Sequence, residues 1–208
     1  LHGYMSNAGY EDVREAIAEN LNKKFETKLS VNNIIMTVGA AGGLNVILKV
    51  LLNKDDEVIV FAPYFGEYKN YVANYDGKLV EVAPNPPTFM PNLSDLESKI
   101  TKKTKAVIIN SPNNPTGVIY SKDVLEDMAK VLGKKEKEFG TTIYLISDEP
   151  YRELVYTDTK VPYVTKIYKN TIVGYSYSKS LSLAGERIGY LVIPSDIDDY
   201  SNVFNAAV

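Results

Sequence analysis

The 208 residues contain no cysteine, so disulfides and thiolate chemistry are both excluded, and a reducing compartment fits that composition. Histidine is almost as scarce. The single one, His2, stands at the start of the chain, which leaves no basis for a histidine-rich metal site or for a Ser-His-Asp triad. Long apolar runs are missing too, none approaching the roughly 20 residues a membrane-spanning helix requires, and no secretory leader is visible. Positive charge is not concentrated anywhere: the formal net charge is -3 and no basic stripe runs along the chain, which argues against a nucleic-acid partner. These absences lead to the expectation of a soluble cytoplasmic protein with no nucleic-acid, membrane or metal partner. What is present is apolar substance: 45% hydrophobic residues over this length can fill the core of one domain.

The apolar pattern alternates between two periods. Val13, Ile17, Leu21 and Phe25 recur every four residues and predict an amphipathic helix over Glu11 to Phe25. A β-branched run, Ile34 to Thr37, ends at Gly39 and gives way to a second helical pattern that continues through Leu52. Strands are expected at Val58 to Phe61, Leu79 to Val82, Ala106 to Ile109, Ile143 to Ile146, Thr171 to Tyr175 and Ile188 to Val192, with a helix from Ser121 (as N-cap) to Phe139. The strands are continuously rather than alternately hydrophobic, so both their faces must be covered. The chain is therefore expected to fold as an α/β protein, a three-layer α/β/α sandwich around a mostly parallel sheet. Pro84 to Pro91 is a proline-rich connector too short to separate domains. Leu1 and the helix-like ending Ser201 to Val208 suggest that more chain lies on either side.

In sheets of this kind ligands bind beyond the carboxyl ends of the strands, so the polar residues there are the candidates. Ser147-Asp148-Glu149-Pro150-Tyr151 follows one strand, Asn110-Ser111-Pro112-Asn113-Asn114-Pro115-Thr116-Gly117 a second, and Ser176-Tyr177-Ser178-Lys179 a third, with Arg187 eight residues beyond the lysine. Each has an ordinary reading: a capping acid, a rigid turn, a solvated lysine. Gly39-Ala40-Ala41-Gly42-Gly43 opens a helix, where small residues allow either close packing or a phosphate on backbone N–H groups.

Taken together, Ser-Pro-Asn-Asn-Pro-Thr-Gly, Ser-Asp-Glu-x-Tyr, Ser-x-Ser-Lys and Arg-Ile-Gly-Tyr, in that order, closely resemble the class I aminotransferases of pyridoxal-phosphate fold type I, the aspartate aminotransferase type, from Tyr4 to about Pro194. The resemblance implies pyridoxal 5'-phosphate as cofactor, and residues 1–208 as the cofactor-binding large domain without the small domain and the N-terminal segment. It also implies a role for each matching residue. Lys179 matches the lysine that forms the Schiff base and shuttles the substrate proton. Asp148 matches the carboxylate that keeps the pyridine nitrogen protonated. Asn114 and Tyr151 match the two donors to the ring's phenolic oxygen. Gly39, Ala40 and Ala41, with Ser176 and Arg187, match the phosphate cradle, and Phe65 the aromatic that stacks on the ring. Tyr4 matches a tyrosine that reaches the active site of the neighbouring subunit, which implies a homodimer.

Some residues depart from the family pattern: Ala41 and Gly42 stand where polar residues are common, Pro150 where an aliphatic residue is usual, and Glu186 where many relatives carry tryptophan, histidine or asparagine. The leading expectation is transfer of the amino group of an L-amino acid to a 2-oxo acid. The alternatives are a lyase on the same cofactor, or a ligand-sensing domain that binds the cofactor without turnover. A nicotinamide dehydrogenase is disfavoured, because Gly39 to Gly43 lacks the dinucleotide fingerprint spacing.

Overall fold

A computed structural model describes residues 3–208; His2 lies outside them. Among the described residues seven strands form one sheet in the order β1-β7-β6-β5-β4-β2-β3. They are β1 Ile34–Val38, β2 Glu57–Phe61, β3 Lys78–Val82, β4 Thr104–Asn110, β5 Tyr144–Asp148, β6 Thr171–Ser176 and β7 Ile188–Val192. The pairs from β3 to β6 are parallel, whereas β7 runs antiparallel to both β6 and β1. The sheet is thus mostly parallel, as expected. The reversal at β7 follows from chain length: the stretch between β6 and β7 is too short for the crossover that a parallel pair needs.

Among the described residues seven α-helices accompany it: α1 Glu11–Phe25, α2 Gly39–Leu51, α3 Glu67–Ala73, α4 Leu93–Lys99, α5 Lys122–Phe139, α6 Tyr177–Ser180 and α7 Tyr200–Ala207. On one face, Leu44, Ile47 and Leu48 of α2, Tyr68 and Val72 of α3 and Val203 of α7 pack on Val58, Ile108, Ile146, Ile172 and Leu191. On the other face Leu96 of α4 with Leu125, Met128 and Leu132 of α5 pack on Ile59, Val107 and Leu145, while α1 packs Ile17, Ala18 and Leu21 on Ile34, Val173 and Val192. The two sets alternate along each strand because successive side chains point to opposite faces, and that is why the strands read as unbroken apolar runs. Each such fully buried aliphatic side chain contributes about 1.5–3 kcal/mol, and Leu48→Ala would cost about 2–5 kcal/mol by leaving a cavity beneath α2.

Helix α1 has the bounds its periodicity predicts, and the Ser121 side chain accepts a hydrogen bond from the Val124 N–H, capping α5. Helices α3 and α4 were not legible in the sequence. Each has only seven residues, too few for a periodic signature and too few to be stable without packing partners. None of the helices among the described residues is long and apolar enough to cross a membrane.

Candidate active site

β4, β5 and β6 are adjacent and parallel, and they end together at Asn110, Asp148 and Ser176. Above these ends lies a cavity of about 260 Å³, walled on one side by the first turn of α2 and on another by α3. Nine of the residues singled out from the sequence line it: Ala40, Ala41, Phe65, Asn114, Asp148, Tyr151, Ser176, Lys179 and Arg187. Gly39 sits just behind this wall at the start of α2. Tyr4 is fully exposed and does not line the cavity.

Asp148 forms the buried end. Its register partner on β4 is Asn110, whose Nδ2 donates to the Asp148 carbonyl at 2.8 Å. The same Asn110 accepts from the Asn114 N–H at 2.6 Å, so one side chain ties the end of β5 to the loop after β4. The Asp148 carboxylate accepts from the Tyr68 hydroxyl through Oδ2 at 2.6 Å, while Oδ1 is buried with no partner among the described residues. Burial raises this carboxyl to about pH 7; the Tyr68 hydrogen bond opposes the rise and the neighbouring Glu149 adds to it. A buried acid with one oxygen unused, lining a cavity, offers the acceptor that a protonated ring nitrogen requires.

The turn that carries Tyr151 is fixed from behind. Glu149 accepts from Ser147 at 2.8 Å and from Arg152 Nε at 2.5 Å, and the two Arg152 Nη atoms donate to the carbonyls of Val161 and Pro162, each at 3.0 Å. Both Glu149 and Arg152 are buried. Tyr151 emerges from this turn to accept from Asn114 Nδ2 at 3.3 Å, and Lys179 Nζ lies 5.9 Å from the centre of the Tyr151 ring. Lys179 itself stands in the single turn of α6, immediately after β6, which Ser176 caps by accepting from the Ser178 N–H at 3.1 Å.

The opposite end of the cavity is built for an anion. Arg187 packs its guanidinium against the N-terminus of α2 so closely that a Cβ on Gly39 would lie 2.6 Å from Nη2. Gly189 of β7 makes the second close approach. A Cβ there would collide with the Tyr175 carbonyl and stand 2.8 Å from the Gly39 carbonyl carbon and 3.0 Å from the Ala40 nitrogen. Backbone N–H groups of the first turn and a planar cation therefore converge where the helix dipole is positive. Small residues at Gly39 to Gly43 serve packing and anion access together.

The sequence reading missed Tyr68, Tyr71 and Ser178. Tyr71 and Ser178 line the cavity, and Tyr68 stands behind Asp148. Ser178 was within a motif already quoted, but the two tyrosines belong to α3, whose existence had no sequence signal. Tyr68 and Tyr71, three residues apart, lie on one face of α3 just after Phe65, and their pairing could have been noticed only if that helix had been recognised.

Comparison with known proteins agrees with this geometry. Residues 1–208 match the family described as aminotransferase class I and II. The chain is 35% identical over 201 residues to an aspartate aminotransferase of Pyrococcus horikoshii, covering 93% of this chain and 49% of that protein. It thus spans about half the length of the curated relatives it matches. Among solved structures, an aminotransferase from Eubacterium rectale superposes with a TM-score of 0.97 at 47% identity, covering 99% of this chain and 52% of that one. An alanine aminotransferase from Pyrococcus furiosus superposes with a TM-score of 0.90 at 30% identity, covering 99% and 51%. The cofactor of this family is pyridoxal phosphate, and the residues present fit it: an unpartnered buried carboxylate at one end, an anion cradle at the other, a lysine between. The chain belongs to the class I and II aminotransferases.

Proposed function

We propose that the protein is a pyridoxal-phosphate-dependent aminotransferase that moves the amino group of an L-amino acid to a 2-oxo acid, typically 2-oxoglutarate, and that residues 1–208 are its cofactor-binding large domain. The observation that carries the reading is the pairing, across one cavity, of the unpartnered Asp148 Oδ1 with the cation-flanked N-terminus of α2, with Lys179 between them.

When bound, the cofactor supplies an electron sink for the pair released at the substrate's Cα. The chain's own residues do the rest. Asp148 would hold a proton on the ring nitrogen by placing its buried, unpartnered Oδ1 beside it. Asn114 Nδ2 and the Tyr151 hydroxyl would donate to the phenolic oxygen, and the ring of Phe65 would stack on the cofactor. Ala40 and Ala41 offer backbone N–H groups to the phosphate, Ser176 a hydroxyl and Arg187 a bidentate cation. Lys179, which lines the cavity, would hold the cofactor through its Nζ. As a free amine it would take the proton from the substrate's Cα and hold it for return to the cofactor-bound product.

We further propose that the enzyme works as a cytoplasmic homodimer in which Tyr4 reaches the neighbouring active site. The full exposure of Tyr4, away from its own cavity, supports this. Similar proteins carry the names of aspartate, aspartate/prephenate and alanine aminotransferases, and an L-amino acid donor with a 2-oxo acid acceptor is common to all of them.

A panel of L-amino acids with 2-oxoglutarate, assayed on the complete polypeptide, tests the reading. Glutamate should form, and Lys179→Ala should reduce its formation by at least about a thousandfold. Borohydride reduction of the cofactor-loaded protein should place the pyridoxyl group on Lys179. Turnover that survives Lys179→Ala refutes the proposal. Ammonia release without glutamate would point to a lyase instead.

A further inference from the structure

The anion end of the cavity has backbone N–H groups, Ser176 and Arg187 to offer, but the glycines and alanines of Gly39 to Gly43 give it no side-chain donor from α2. We propose, building on the cofactor reading above, that Tyr71 of α3 is a further cofactor-binding residue, whose hydroxyl supplies the phosphate group with the side-chain donor that Ala41 lacks.

Tyr71 lines the same cavity as Ala41 and Arg187, and α3 packs against α2. Its ring is seated: it is half-buried, packs on the core beneath α2 and lies 6.5 Å from the Tyr68 ring at a tilt of 58°. Its hydroxyl is uncommitted. The tyrosines on either side use theirs, Tyr68 donating to Asp148 and Tyr75 to Asn45 Oδ1. The Tyr71 hydroxyl has no hydrogen-bond partner among the described residues. The ring accounts for the packing, and the oxygen is left free for an acceptor that enters the cavity.

The surroundings select which part of the cofactor that acceptor belongs to. Burial raises the Tyr71 phenol, Glu67 and Asp148 add to the rise, and Arg187 opposes it. The hydroxyl therefore keeps its proton near neutral pH and acts as a donor, and it stands within the field of the guanidinium that marks the anion end. Ala41 and Gly42 carry nothing beyond Cβ, so the first turn of α2 leaves the approach from α3 open to a side chain as long as tyrosine. A phosphate, with three acceptor oxygens to satisfy, has a use for one more donor there.

Tyr71→Phe keeps the ring and removes the oxygen. In the complete polypeptide it should weaken pyridoxal phosphate binding about tenfold or more, the worth of a hydrogen bond to a charged group. Binding of pyridoxal, which lacks the phosphate, should stay within about twofold of the parent, both affinities being read by equilibrium dialysis. A second measurement keeps the oxygen and covers the case in which Tyr71→Phe folds poorly. With Tyr71 replaced by 3-fluorotyrosine, the fluorine resonance follows the phenol's own titration. Pyridoxal phosphate should move that titration upward, because a neighbouring anion disfavours the phenolate, and saturating pyridoxal should move it much less.

An unchanged affinity of Tyr71→Phe for pyridoxal phosphate, an equal loss for both ligands, or a fluorine titration that responds equally to both overturns the proposal. Borohydride labelling in the parent keeps the wider reading separate. Any of those results with the pyridoxyl group on Lys179 refutes the role of Tyr71 alone, whereas a parent that binds no pyridoxal phosphate refutes both.

Discussion

Asp148 is buried, acidic and half-unpartnered, which makes a measurable prediction about the apoprotein. Its carboxyl titrates near 3.8 when unfolded and at about 7 in the folded chain, chiefly because burial disfavours the charge. The sign follows directly. Below about pH 4 both states are protonated and there is no penalty. Between about pH 4 and 7 the unfolded chain loses the proton first, so folding becomes less favourable as pH rises. Above about pH 7 the penalty is complete. Three powers of ten in acidity are worth about 4 kcal/mol in total, of which about 2–3 kcal/mol develops between pH 5 and pH 8. That is a large fraction of the 5–15 kcal/mol that typical domains possess.

Asp148→Asn abolishes the titration while retaining an acceptor for Tyr68. The stability of the variant relative to its parent should therefore rise by about 2–3 kcal/mol from pH 5 to pH 8. Its absolute level is set partly by a new amide N–H left without a partner. Urea unfolding of both apoproteins at half-unit pH steps reads this difference as the separation of their midpoints multiplied by the denaturant slope. A separation that stays constant across the range, or that moves against the variant as pH rises, would refute the assignment of a raised acidity to Asp148. Catalysis should move the other way: the same variant, more tolerant of neutral pH when empty, should lose most of its turnover.

Two further substitutions test the frame around the cavity. Gly189→Ala places a methyl group against the Tyr175 carbonyl and the Gly39–Ala40 backbone, so β7 and the α2 N-terminus must separate; cofactor affinity should drop together with melting temperature, whereas a variant with parental values of both would disprove the close approach. Glu149→Gln leaves the buried Arg152 guanidinium without its counter-ion and should cost about 3–5 kcal/mol, read as an earlier urea midpoint, with a change under about 1 kcal/mol counting against the buried pair as described.

The sequence by itself determined the layered α/β architecture and the addresses of most site residues. Unbroken apolar strands can only be strands covered on both faces, and the motif residues fall immediately after them because that is where a parallel sheet opens to ligands. Asp148, Asn114, Ser176 and Lys179 could be located this way, each within four residues of a strand end. Helix α1 and the Ser121 cap were legible for the same reason: their signals are local, within a few turns of the same chain.

The tertiary structure alone decided what depends on distant residues. Helix α3 exists because Tyr68 and Val72 bury against the sheet, and seven residues carry no period strong enough to announce that. The Tyr68–Asp148 bond joins positions 80 residues apart, so no spacing rule could reveal it. The antiparallel turn of β7, which brings Gly189 against the α2 N-terminus and Arg187 to its guanidinium site, is likewise invisible in a strand apolar on both faces. Even the acidity of Asp148 belongs to this class, since the same carboxyl on an open loop would ionise normally, and it is burial at the end of β5 that disfavours its charge.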